Sequence, residues 1–187
     1  MWTKDLFGTD QPIIALLHLD ALPGEPAFCG SLDTIMEHAA ADLKALQDGG
    51  VDGVLIANEY CFPITPNTGT VTLMAMAAVI GFLKKDLRVP FGVNVVYNPE
   101  ETIKMAAALG ASYGRSAFGG AYTGAYGLHS VNYGDMIRLK YALGHPEIQL
   151  LCKFNPEGDA RLGDQTTKEV VNALCQGGFM GGLCVSG

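Results

Sequence analysis

The sequence predicts an α/β fold in which about six parallel strands alternate with about five helices. Three observations carry that expectation. Short apolar runs recur, and helical-pattern segments of about 10 to 16 residues stand between them. Apolar residues occupy neighbouring positions within the runs, which suits strands buried on both faces, as parallel sheets require. Glycine stands where a helix must stop and the chain re-enter the sheet, at Gly49-Gly50, Gly110 and Gly177-Gly178.

The first strand is expected over residues 13–17, an apolar run that follows Pro12 and precedes the turn Ala21-Leu22-Pro23-Gly24. Ser31 caps a helix over 32–47, where Ile35, Ala39, Leu43 and Leu46 return at helical spacing. Strand 53–57, helix 70–85, strand 91–96 and helix 99–109 repeat the unit, and Pro99 suits a first helical turn. Strand 113–118 leads into a long glycine-rich loop, followed by helix 133–143, strand 148–154, helix 167–176 and strand 182–186. At roughly 30 residues per unit, a closed eight-stranded barrel needs roughly 240 residues. The 187 residues supply six units, so the chain is expected to form one domain, an unclosed sheet with right-handed crossovers.

Composition narrows the function classes. Hydrophobic residues make up 49% and charged residues 17%, with 24 glycines, which describes a packed chain rather than a disordered one. Nineteen acidic against twelve basic residues give a net charge of −7, so nucleic acid is not an expected partner. The apolar stretch 71–82 is too short for a membrane span, and Met1-Trp2-Thr3-Lys4-Asp5 lacks a basic leader region, so a soluble cytoplasmic protein is expected. Cys29, Cys61, Cys152, Cys175 and Cys184 are odd in number and form no C-x-x-C pair, so neither a disulfide framework nor a zinc ribbon is expected. No glycine fingerprint for a dinucleotide follows a strand, and no cofactor or metal is expected.

In parallel α/β sheets the site lies beyond the carboxyl ends of the strands. His18 follows the first strand and can exchange a proton, with Asp20 either orienting it or standing alone. Asn58 and Glu59 end the second strand, and Glu59 can act as acid or base. Asn94 lies within an apolar run and must find a polar partner. Arg115 offers a fork for a carboxylate or phosphate, or pairs internally with Glu59 or another carboxylate. Lys153 suits anion binding, a structural ion pair or, if deprotonated, Schiff-base chemistry. The loop 118–127 carries aromatic faces, Tyr122 among them, and reads as a lid or a scaffold, with His129 as a further contact. His38 and His145 read as structural or solvated.

The blocks IALLHLDALPGEP at 14–26, GGVDGVLIAN at 49–58, PFGVNVV at 90–96 and LCVSG at 183–187 together resemble the BtpA/SgcQ family, and the resemblance runs over nearly the whole chain. It implies a TIM-barrel-like fold, of which the chain resembles the first six strand units and lacks the last two. It also implies a cytoplasmic metabolic or assembly role, with relatives linked to photosystem I biogenesis or to sugar-utilisation genes. Family-pattern positions are His18, Pro23, Gly24, Asn58, Glu59, Asn94, Arg115, Ser186 and Gly187. Relatives commonly carry Thr at Gly119 and an acidic residue near Ala125, and at those two positions this chain has lost the hydroxyl and the carboxylate.

The expected function is binding or conversion of a small polar metabolite, a phosphorylated sugar being one candidate. Conversion would use His18, Glu59 and Asn94, with ligand binding by Asn58, Arg115, Lys153, Tyr122 and His129. A non-enzymatic assembly or partner-binding factor is the alternative, and aldolase chemistry at Lys153 a third. An open sheet edge calls for cover by self-association or by a protein partner.

Overall fold

The structure is a computed structural model that describes residues 1–154 and 158–185. The family-pattern positions Ser186 and Gly187, and with Ser186 the end of the expected last strand, lie outside the described residues. Six parallel strands form one sheet in the order β1 (Ile14–His18), β2 (Gly53–Ala57), β3 (Phe91–Asn94), β4 (Tyr113–Ser116), β7 (Gln149–Lys153) and β9 (Gly182–Cys184). Each of the first four is followed in space by its successor, as a half-barrel that curls in one direction requires. Five helices lie along the crossovers: α2 (Leu32–Asp48), α3 (Thr70–Leu83), α4 (Pro99–Leu109), α5 (Tyr133–Ala142) and α6 (Thr167–Cys175).

Local chemistry sets the helix starts. The Ser31 and Asn98 side chains accept from the N–H groups of Thr34 and Glu101 at 3.1 and 3.3 Å. Thr166 and Glu169 form a reciprocal capping box. Gly110 ends α4 in the left-handed region, at φ 71°, which favours glycine.

Register defines two faces. Leu17, Ile56, Val93 and Leu150 belong to the buried cluster shared with the helices. Leu17 is paired with Ile56, Ile56 with Val93, and both Val93 and Leu150 with Gly114. Residues one position away point inward, because side chains alternate along a strand. Tyr113 fills this inner face with its hydroxyl donating to the Val54 carbonyl at 2.6 Å. Its ring lies so close to β3 that a Cβ on Gly92 would approach it to 2.2 Å, so only glycine fits there.

Two expectations need correction. A sixth helix, α1 (Trp2–Phe7), precedes β1. It is too short to show helical periodicity, and packing holds it: Phe7 meets the Tyr113 ring at a centroid distance of 5.8 Å, and Trp2 Nε1 donates to the Gly181 carbonyl at 2.7 Å. It thus closes the amino-terminal end of the half-barrel. The expected long loop is instead a hairpin, β5 (Gly120–Gly124) and β6 (Gly127–Val131), joined by β8 (Asp159–Arg161) into a three-stranded antiparallel sheet. Its anchor is Tyr122, 1% exposed, whose hydroxyl donates to the Phe154 carbonyl at 2.9 Å. Gly127 at φ 91° closes the two-residue turn. No helix of the described residues is long and apolar enough to cross a membrane.

Candidate functional site

The carboxyl ends of β2, β3, β4 and β7 surround a cavity of about 230 Å³, roofed by the three-stranded sheet. Asn94 ends β3, Arg115 lies on β4 and Lys153 ends β7, all on the inner face, while Glu59 enters from just beyond β2. The roof contributes Tyr126 and His129, and Tyr97 stands on the rim after β3. Five residues singled out in the sequence therefore meet here: Glu59, Asn94, Arg115, His129 and Lys153.

The cavity gathers cationic side chains in a chain that is acidic overall. Among the described lining residues two cations, Arg115 and Lys153, face one carboxylate, Glu59. Among the described residues neither cation makes an ion pair, so the internal Arg115–Glu59 bridge is not formed, and Arg115 Nε is buried without a hydrogen-bond partner. Cys184 is paired in register with Lys153, and burial raises its thiol pKa against the opposing pull of the Arg115 and Lys153 charges.

The roof is held by aromatic contacts. Tyr97 packs edge-on to Tyr126 at 5.6 Å and to His129 at 5.5 Å, and its hydroxyl donates to the Asp159 carboxylate on β8. Burial, then Asp159, pushes the Tyr97 phenol up. Tyr97 adopts φ 61°, an uncommon conformation for a non-glycine residue, as the chain turns from β3 into α4. His129 is only 7% exposed, and desolvation lowers its pKa against the opposing influence of the Ala117 carbonyl and Asp159.

Three expected site residues lie elsewhere. His18 is the last residue of β1, two strands from Asn94 in the same register layer and so roughly 10 Å away. It packs edge-on against Tyr60 at 5.9 Å and does not line the cavity; its Nε2 is buried without a partner among the described residues. Asp20 is 2.8 Å from His38 rather than orienting His18. Asn58 is a brace: its side-chain oxygen accepts from the Val96 N–H at 2.8 Å. Tyr122 is buried in the roof, its phenol pushed up to about 12 by that burial. The thiols of Cys61 and Cys152 are buried and pushed up to about 11, chiefly by desolvation, which argues against a nucleophilic role.

Tyr97 is the rim residue that the sequence reading passed over. Its signal was available: it follows the third strand within three residues of Asn94 and precedes the helix start at Asn98-Pro99. Among the described residues no group of three or more His, Cys, Asp or Glu side chains is arranged to hold a metal.

Comparison with known proteins adds a family and a fold. The profile of the BtpA family matches residues 9–187. The sgc region protein SgcQ of Escherichia coli (strain K12) is 38% identical over 188 residues, covering 100% of this chain and 70% of SgcQ. The photosystem I biogenesis protein BtpA of Synechocystis sp. is 26% identical over 184 residues, covering 97% of this chain and 64% of BtpA. The uncharacterized protein PH1209 of Pyrococcus horikoshii is 33% identical over 89 residues, 48% of this chain and 34% of that protein. Among solved structures, the dihydropteroate synthase of Xanthomonas albilineans with 4-aminobenzoic acid superimposes with a TM-score of 0.53 at 17% identity, over 79% of this chain and 47% of the synthase. The 7,8-dihydropteroate synthase of Vibrio fischeri ES114 gives 0.55 at 13% identity, over 91% and 60%. At such identities the likeness concerns the fold alone, and the chain spans about half the length of these synthases.

Proposed function

This chain belongs to the BtpA family, and we propose that it acts by binding: the cavity holds a small polar anion, and the chain serves as an assembly or partner-binding factor without turning that ligand over. The observation that carries the reading is the convergence of Arg115 and Lys153 on one small cavity with no described ion-pair partner. Buried or half-buried cations left unpaired are costly, and an anionic ligand offsets that cost. A phosphorylated sugar is the finer form of the reading. The assembly role draws support from the photosystem I biogenesis named for the Synechocystis relative. It also draws on β1, an edge strand that exposes Leu16 at 45%, with Ile13 just before it at 65%, apolar surface suited to a second copy or another chain. A soluble cytoplasmic setting and self-association belong to the same proposal.

Conversion of the ligand is a second reading, favoured by Glu59 and Asn94 sharing the cavity with the cations. Glu59 would remove a proton and Asn94 would stabilise the developing oxygen charge. Aldolase chemistry would instead run through a Lys153 imine. A thermal-shift screen of small anionic metabolites, sugar phosphates included, separates these readings. At a concentration of about 100 Kd a ligand stabilises by about 2.7 kcal/mol, a shift of roughly 5 to 10 °C for a chain of this size. The binding reading expects a hit whose shift is lost in Arg115→Ala and which is recovered chemically unchanged. Product formation abolished by Glu59→Gln would establish conversion, and a borohydride-dependent mass increase on Lys153 would establish the imine. Mass measurements over a range of concentrations test self-association, which a compact monomer at high concentration would rule out.

A further inference from the structure

Building on the reading of the cavity as an anion site, we infer that its ligand is a hydroxylated anion, a hydroxy carboxylate or a phosphorylated polyol, with its anionic end against Arg115 and Lys153 and a hydroxyl turned to His129. Two aromatic neighbours of His129 are satisfied: the Tyr122 hydroxyl donates to the Phe154 carbonyl and the Tyr97 hydroxyl to the Asp159 carboxylate. His129 itself lines the cavity, is 93% buried by its 7% exposure, and has Nε2 without a hydrogen-bond partner among the described residues. A buried nitrogen left in that state carries an uncompensated desolvation cost, so a ligand group that reaches it gains specificity as well as affinity.

The chemistry of that group follows from its neighbours. A neutral imidazole presents one donor nitrogen and one acceptor nitrogen. A hydroxyl can donate or accept and therefore satisfies Nε2 in either tautomer, whereas an anionic oxygen satisfies only the donor form. Glu59, in the same cavity, accepts but cannot donate when ionised, and a second hydroxyl meets that need. An ammonium group would suit Glu59, but among the described lining residues two cations already outnumber one carboxylate, and desolvation disfavours charge on His129. The volume sets the size. About 230 Å³ is below the ~300–1,000 Å³ of sites for drug-sized ligands and equals roughly eight water volumes, which suits a short carbon skeleton.

The test is calorimetric titration of the full chain with matched pairs: glycerate against propionate, glycerol 3-phosphate against propyl phosphate, and alanine as the ammonium-bearing control. In at least one pair the hydroxylated member should bind at least ten-fold tighter than its deoxy partner, and the responding pair identifies carboxylate or phosphate as the anionic end. His129→Phe should reduce that ratio to below about three-fold. Because the substitution could repack the roof, a second readout uses the unaltered chain: the 15N resonance of His129 Nε2 should move with the hydroxylated member and not with the deoxy member. Equal binding of both members, lost in Arg115→Ala, would overturn the hydroxyl inference and leave the anion site standing. Preference for alanine would likewise overturn it. Absence of anion binding, or binding indifferent to Arg115→Ala, would overturn both.

Discussion

Gly92→Ala tests the packing that shapes the inner face below the cavity. An added Cβ would stand 2.2 Å from two ring carbons of Tyr113 and 2.8 Å from its carbonyl oxygen. Either the ring leaves or the strands separate. If the ring leaves, a fully buried aromatic side chain loses about 1.5–3 kcal/mol of burial, and its hydroxyl loses the 2.6 Å bond to Val54, worth about 1 kcal/mol. If the ring stays, overpacking costs about 1–3 kcal/mol, with the carbonyl contact still to be relieved. Either route gives a loss of about 3 kcal/mol, a large share of the ~5–15 kcal/mol that a domain has, and a fall in Tm of roughly 6–12 °C. Urea unfolding of the four members of a cycle, the parent chain, Gly92→Ala, Tyr113→Ala and the double variant, measures it. The coupling should exceed about 1.5 kcal/mol, because Tyr113→Ala removes the ring contact. A loss below about 0.5 kcal/mol, or the same loss with and without the ring, would refute the reasoning.

Three further outcomes follow from particular groups. The unfolded His129 ring takes up a proton near its ordinary value of 6.5, while burial holds the native ring below that, so the unfolded state binds more protons as pH falls through 6.5. Stability should therefore decline on acidification below about pH 7, and His129→Phe should flatten that part of the profile in urea unfolding at a series of pH values. Exposed Cys29 and Cys175 should react with iodoacetamide within minutes, while Cys61 and Cys152, buried with thiols near 11, should stay unmodified until the chain unfolds; peptide mass spectrometry reads the difference. Thr166→Ala removes the capping box of α6 and should cost about 1 kcal/mol in the same unfolding assay, with Glu169→Ala non-additive to it.

The repeating units were legible because most strands are short apolar runs and several helices carry a cap or a glycine stop. Ser31, Asn98 with Pro99, and Gly110 do in the structure what their residue types suggest. The hairpin was not legible for an equally physical reason. Its strands, GAYTG with a glycine at each end and GLHSV beginning with one, carry few apolar residues, so their order comes from single anchors such as Tyr122 rather than from a hydrophobic pattern. The candidate site was legible in its inner-face members, Asn94, Arg115 and Lys153, because strand ends on an inward face converge. It was not legible for Asn58 and Tyr122, where the same local signal, a polar group at a rim or in a glycine-rich segment, serves a backbone hydrogen bond instead. Only the register separates these cases, since Asn94 and Asn58 differ by which face the chain presents.

The occupant of the cavity decides most directly. A crystal structure grown with a small anion that binds the full chain should place the anionic group within hydrogen-bonding distance of both Arg115 and Lys153, beneath Tyr126 and His129. Density for that anion in the separate cleft between the three-stranded sheet and α6, or at the surface with Arg115 and Lys153 untouched, would contradict it.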